Sequence, residues 1–294
     1  MTDSAGTAER MTVRRPPFAF ARSRALHWNA ARPEFSQIVN AASLAMPYLE
    51  PYLIKTMREA RPLITDEKLV RELDLYCAQE SAHYRQHRRF NDELKAASPE
   101  AVNACEAQLA ADYDRLGTHR SLRFNLAYAE GFESMALAIG HMLIEDREFL
   151  FGRADSAVAS LVLWHFVEEI EHKNVTFDVF AHISGSQFWR IVGLAYATAH
   201  ILWRTRGGYH RLLKADGHWY NWRSRLALLG VITRILRKLV PRLARILVPG
   251  YHPRRVADPQ WMQSWAALHL EDAGAPARLD TSRLREATPV ALPA

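Results

Sequence analysis

The chain has 294 residues, 49% of them hydrophobic, and a net charge of +6. That is enough apolar material for a substantial core, in one large domain or two small ones. Two cysteines, Cys77 and Cys105, exclude a disulfide framework or a cysteine metal cluster and suit a reducing cytoplasm. The basic N-terminal residues are followed by no apolar run, which excludes a secretory signal. Strand-like alternation is scarce and helical periodicity pervasive, so the expected class is all-α.

Residues 1–33 read as an irregular segment. A first helix is expected after Pro33, with Val39, Ser43, Met46, Glu50, Leu53 and Met57 on one face; Pro47 and Pro51 predict a kink or a fresh start beside Glu50. Thr65 reads as the N-cap of a second helix reaching about residue 97. Its stripe is Leu69, Leu73, Tyr76, Glu80, His83, His87, Phe90 and Leu94, so ionisable groups occupy the middle of an otherwise apolar seam. Ser98-Pro99 opens a shorter connecting helix ending near Gly117. A third long helix is expected over about 118–146, with the seam Ala127, Glu130, Ser134, Leu137, His141 and Ile144. Asp155 opens a fourth, expected to reach residue 182, whose stripe Val158, Val162, His165, Glu169, His172, Thr176, Val179 is again ionisable in its middle.

Beyond Gly185 further helices are expected near 186–206, 222–247 and 259–270, then a disordered tail over 274–294. No flexible linker precedes Phe188, so residues 34–273 are expected to form a single all-helical domain. Between Phe188 and Ala257 there are 14 Lys and Arg against one acid, Asp216, so this region is strongly basic and the remainder acidic. The uncharged run Ile191 to Trp203 is too short to span a membrane and reads first as a helix packed on the bundle. The basic region 188–257 adds the expectation of peripheral contact with the inner membrane. No nucleic-acid motif accompanies the charge, so no nucleic-acid partner is expected.

The chemistry concentrates in two Glu-x-x-His steps, Glu80 with His83 and Glu169 with His172. Residues three apart on a helix share a face, so each step offers a carboxylate and an imidazole to one point. One such step arises by chance; two, each on a core seam, call for a compensating cation, because burying an unpaired carboxylate costs several kcal/mol. Two steps plus one Glu from each of two further helices form the dinuclear site of a ferritin-like four-helix bundle. Glu50 and Glu130 are the expected additional carboxylates, and Glu133, one turn from Glu130, competes with it. His165 shares the face of Glu169 and His172 as a further ligand or an orienting partner. His87 is expected to orient a ligand or face substrate, Glu168 and Glu171 to be orienting or surface charges, and His141 to sit at the core edge. No phosphate loop, nucleophile elbow or Cys-x-x-Cys is present.

Two runs, Gln79-Glu80-Ser81-Ala82-His83-Tyr84-Arg85-Gln86-His87-Arg88-Arg89-Phe90-Asn91 and Trp164-His165-Phe166-Val167-Glu168-Glu169-Ile170-Glu171-His172-Lys173 with Val175-Thr176-Phe177-Asp178-Val179, resemble the signatures of a bacterial family named "predicted metal-dependent hydrolase". The resemblance extends from about Arg14 to Pro253. It implies Glu50, three residues after Pro47, and Glu130, followed by Phe132, as ligands. Gly131 and Glu133 stand where that family carries His and Thr, and Pro51 is a further departure. His165-x3-Glu169-x2-His172 is also similar to the arrangement in di-iron arylamine N-oxygenases, which implies His165 as a ligand. The resulting expectation is a ferritin-like bundle with additional C-terminal helices, holding two divalent metal ions, Fe/Fe or Fe/Mn. Its expected activity is that of an oxygenase or oxidase using O2, an electron donor and a small apolar organic substrate. A metal-dependent hydrolase and a non-enzymatic metal-binding bundle are the alternatives.

Overall fold

The computed structural model describes residues 11–21 and 26–291. Its elements are all helical, and among the described residues the only β-type pairing is an isolated bridge between Leu279 and Pro289. The α-helices are α1 (Pro33–Ala60), α2 (Glu67–Ala97), α3 (Pro99–His119), α4 (Leu122–Glu145), α5 (Arg147–Phe151), α6 (Ser156–Glu171), α7 (Val175–Ile183), α8 (Gln187–Ala215), α9 (Trp222–Ile246) and α10 (Trp261–Glu271). No helix among the described residues is long and apolar enough to cross a membrane.

Helix α1 runs through both prolines without ending. A proline removes the N–H that would bond the carbonyl four residues back, which orphans Ser43 C=O and Pro47 C=O. Both are taken up by α2: Asn91 Nδ2 donates to Ser43 O at 2.9 Å and Arg88 Nη2 to Pro47 O at 3.3 Å. The carbonyls that the prolines free thus bind α1 to α2 in the two turns before Glu50.

Helix α2 is capped by Asp66 rather than Thr65. The Asp66 carboxylate accepts from Lys68 N at 2.8 Å and Leu69 N at 3.3 Å, satisfying two first-turn donors. The fourth long helix is shorter than its periodicity suggested. α6 begins at its Asp155 cap and stops at Glu171; His172, at φ −97° and ψ 10°, closes it, and α7 starts afresh at Val175.

Helix α4 lies at the centre. From Phe124 to Ile144 nearly every side chain is buried, because α8 packs along the side of α4 turned away from α2 and α6. Gly131 and Gly193 permit this approach: a Cβ at Gly193 would fall on the Ala127 carbonyl, and one at Gly131 on the Gly193 backbone. Helix α9 is moored to the C-terminal end of α4 by Arg234 and Lys238, which both reach Asp146, and by Arg242, which reaches Glu145.

The expectation of a disordered tail fails for residues 274–291. Leu279 is fully buried, its N–H donates to Ser160 Oγ at 2.9 Å, and its carbonyl accepts from Ser156 Oγ at 2.7 Å. Thr281 Oγ1 donates to Ala154 O, and Arg147 donates to the Leu284 carbonyl. Sparse apolar residues suffice here because the backbone is held by the start of α6. At the other end of the chain, residues 11–21 form no regular element but cover α2 and α6, with Phe18 buried against Trp164.

Candidate metal centre

Four helices bring seven donors together. Glu50 comes from α1, Glu80 and His83 from α2, Glu133 from α4, and His165 and Glu169 from α6, with His172 at its end. All are buried. They form two groups whose donor atoms lie within 4.8 Å of one another: Glu50, His83 and His165 in one, Glu80, Glu133, Glu169 and His172 in the other.

Glu169 joins the groups. Its Oε1 lies 3.0 Å from His165 Nε2 and 3.6 Å from His83 Nδ1, and its Oε2 lies 3.3 Å from His172 Nε2. Glu80 does the same with one atom: Oε1 is 3.4 Å from His83 Nδ1 and 3.5 Å from His172 Nε2. Glu133 Oε2 is 3.5 Å from His172 Nε2.

Hydrogen bonds made behind the cluster decide which nitrogen of each histidine faces it. Glu168 Oε2 accepts from His83 Nε2 at 3.0 Å, turning Nδ1 inward. Glu168 is itself held by Arg14 at 3.2 Å and the Trp164 indole at 2.9 Å, both on Oε1. Gln79 spends its amide N–H groups on Thr12 O and Glu171 Oε2, so its Oε1 accepts from His172 Nδ1 at 3.0 Å and Nε2 faces inward. The third chain is longer. Ser43 donates to Asn91 Oδ1, and therefore accepts from His87 Nδ1 at 2.8 Å; His87 Nε2 then accepts from His165 Nδ1 at 2.7 Å. His165 is left with its Nε2 lone pair on the Glu169 side.

Apart from Glu169 Oε2 and His172 Nε2, which hydrogen-bond each other at 3.3 Å, most of the inward atoms have nothing in the protein to satisfy them. Both oxygens of Glu50 and of Glu80, Glu133 Oε2, Glu169 Oε1 and His83 Nδ1 are buried with no hydrogen-bond partner. Even the 3.0 Å approach of His165 Nε2 to Glu169 Oε1 lacks hydrogen-bond geometry. Atoms that converge on a point without bonding one another are arranged as ligands are.

Electrostatics agree. Burial, reinforced by Glu80, pushes the Glu50 carboxyl well above its usual range, and burial with Glu169 does the same to Glu133. Burial opposes charge on His83 and His172, yet the carboxylates around them hold both well above the usual histidine value. His87 and His165 are lowered, by burial first and by neighbouring histidines second, consistent with neutral rings passing one proton along a chain. Carboxyls and imidazoles pushed up together mark a buried site short of positive charge, one that could hold metal ions.

Glu130 does not join them. It faces away, toward Ser134 Oγ at 2.9 Å and Arg190 Nη1 at 3.8 Å, and burial, partly offset by Arg190 and Ser134, pushes it up to about 7. Glu133 takes the place expected of Glu130, its Oε1 accepting from Tyr76 OH at 2.7 Å and its Oε2 turned to the cluster. Of the other expected residues, Glu50, Glu80, His83, His165, Glu169 and His172 converge, His87 and Glu168 stand one hydrogen bond behind, and Glu171 pairs with Arg14 at 2.8 Å. Sequence reasoning missed Arg14, Ser43, Gln79 and Tyr76 as supports, although Gln79 adjoins Glu80 and Tyr76 sits on the same stripe. A third donor group, His27, Asp216 and His218, is only half buried, and Asp216 is already hydrogen-bonded by His27, Gln37 and the His218 N–H.

Fold and site together define a helical protein with buried Glu/His groups that could hold metal ions. Residues 12–257 match the family model described as "Predicted metal-dependent hydrolase", and the chain belongs to that family. No curated protein and no solved structure gives a match.

Proposed function

We propose that Glu50, Glu80, His83, Glu133, His165, Glu169 and His172 hold two divalent metal ions, and that the chain is a dinuclear metal enzyme of ferritin-like architecture acting on a small organic molecule. The observation that carries this is the set of buried, unbonded donor atoms on both sides of Glu169. Four carboxylates also balance the charge of two divalent ions, whereas one ion would leave two buried charges uncompensated. A Glu from each of two helices with a Glu-x-x-His step from each of the other two is the ligand pattern of ferritin-like dinuclear proteins.

Carboxylate and imidazole donors without thiolates suit iron, or iron with manganese. Such ions supply either Lewis-acid activation of a water for hydrolysis or, with iron, reduction of dioxygen. The chain's own residues do the rest. Glu168, Gln79 and His87 fix the ring orientations, and the Arg14 segment and Trp164 exclude water from the α2–α6 side.

A cavity of about 820 Å3 lies beside α4, lined by Ser134, Leu137, Ala138 and His141 of that helix and by Ile246 and Val248 across from it. Ser134, which lines the cavity, donates to Glu130, so the cavity lies on the side of α4 that Glu130 faces, roughly a quarter turn around the helix from Glu133. The α4 side of the wall is mostly apolar and suits a small apolar substrate, while His141, Glu145, Arg242, Arg245, His252 and Arg255 also line the cavity and offer polar contacts.

The two reactions have different support. The family description favours hydrolysis directly. A carboxylate and imidazole donor set without thiolates suits oxygen activation through iron, which is the reading we adopt, with hydrolysis as the second. The test begins with elemental analysis after iron-supplemented growth, where about two metals per chain are expected. The reduced, metal-loaded protein should then consume dioxygen. Ester or amide cleavage under argon with no oxygen uptake would replace this reading by hydrolysis, and under half a metal per chain would remove both.

A further inference from the structure

Helix α9 has a second apolar face that none of the described residues covers. Leu228, Val231, Leu239 and Ile246 are buried against the rest of the molecule. Trp222, Leu226, Leu229, Leu236 and Val240 are exposed, Trp222 by 65% and Leu229 by 59%, and Leu247 continues the row just past the helix end. Their spacing in steps of three, four and seven keeps them on one stripe, roughly opposite the buried one. Single exposed leucines are ordinary; a row of six over about seven turns, with exposed Thr233 its polar member, is not.

The charges on α9 divide in the same way. The helix has no acidic residue. Arg234, Lys238 and Arg242 face α4 and pair with Asp146 and Glu145. Arg223, Arg225, Arg237 and Arg245 pair with no carboxylate among the described residues, and helical spacing sets Arg225 and Arg237 on the two flanks of the apolar row. The preceding long helix, α8, shows a shorter row of the same kind in Phe188, Ile191 and Leu202, all exposed.

We infer that α9 lies flat on an anionic lipid surface, its exposed row entering the acyl boundary and the arginines that lack a carboxylate partner meeting the headgroups. An apolar row flanked by unpaired cations, on a helix without acids, is the composition of an interfacial helix. A second copy of this chain is the poorer occupant, because packing row on row would set Arg225 and Arg237 against their own like charges. Insertion is in-plane, since no described helix can cross the bilayer.

The test is flotation of the full chain with vesicles of phosphatidylcholine alone and of phosphatidylcholine mixed with phosphatidylglycerol. The chain should float with the anionic vesicles, much less with the neutral ones, and less as salt rises. Leu229→Glu with Leu236→Glu should weaken binding by at least about tenfold, and Arg225→Glu with Arg237→Glu should weaken it as well. Both pairs are solvent-facing, so melting temperature and metal content should stay at the wild-type values, which separates lost binding from lost folding. Failure of the wild type to float with anionic vesicles overturns the inference, as does unchanged binding by both pairs. A wild-type dimer that Leu229→Glu with Leu236→Glu makes monomeric overturns it too, and assigns the row to a second copy.

Discussion

Glu168 accepts a hydrogen bond from His83 Nε2 at 3.0 Å, across the α2–α6 seam, and so presents His83 Nδ1 to Glu80 and Glu169. The carboxylate makes no direct approach to the cluster itself, yet it fixes which nitrogen is offered there. Replacing Glu168 by Ala is expected to leave metal binding in place but weaken it by about 10–100-fold. A metal titration of wild type and variant reads this, and equal affinities would show that the His83 ring is held by packing alone.

Glu133 and Glu130 make a paired test of the centre. Glu133→Gln should lower the metal content of the purified protein, because its Oε2 is turned to His172. Glu130→Gln should leave it near the wild-type value, since Glu130 is engaged with Ser134 and Arg190. Elemental analysis of both variants after identical growth decides the matter. The reverse ranking would restore Glu130 as the ligand that the family resemblance implied.

Asp146 should make the mooring of α9 pH-dependent. Burial alone would raise its carboxyl, but hydrogen bonds from Arg234 and Lys238 hold it below its usual value. A depressed folded-state value means stability that is present above the unfolded value, about 3.9, and lost as pH falls through the folded one. Asp146→Asn should therefore melt earlier than wild type at neutral pH, with the gap closing in acid below pH ~4. Thermal melts at both pH values check the sign, and a gap that persists unchanged in acid would mean that the charge contributes nothing.

Gly193→Ala tests whether α8 belongs to the same folding unit as the helices that carry the Glu/His cluster. Alanine for a helical glycine ordinarily gains about 1 kcal/mol. Here the added Cβ would meet the Ala127 carbonyl on α4, and such overpacking costs about 1–3 kcal/mol. The variant should lose stability, and the whole chain should unfold with a lower denaturant midpoint. A gain in stability, or a trypsin-resistant fragment ending near Gly185, would show that α8 is separable.

The sequence by itself determined the helical class and six of the seven clustered donors. Helical spacing is local: a step of three or four residues places Glu80 with His83, and His165 with Glu169, on one face whatever surrounds the helix. Glu50 was legible because it is the one charge in the row Met46, Leu53 and Met57 at helical spacing. α4 offered no such contrast. With α8 against it, all its sides are buried, periodicity no longer marks the inner face, and only packing could decide that Glu133 turns inward while Glu130 meets Arg190. The same holds for Pro47 and Pro51, whose freed carbonyls are rescued by α2, and for the break at His172. It holds again for the tail, whose order rests on hydrogen bonds to Ser156 and Ser160. Each of these depends on partners distant in the chain, and no local pattern records which of them will arrive.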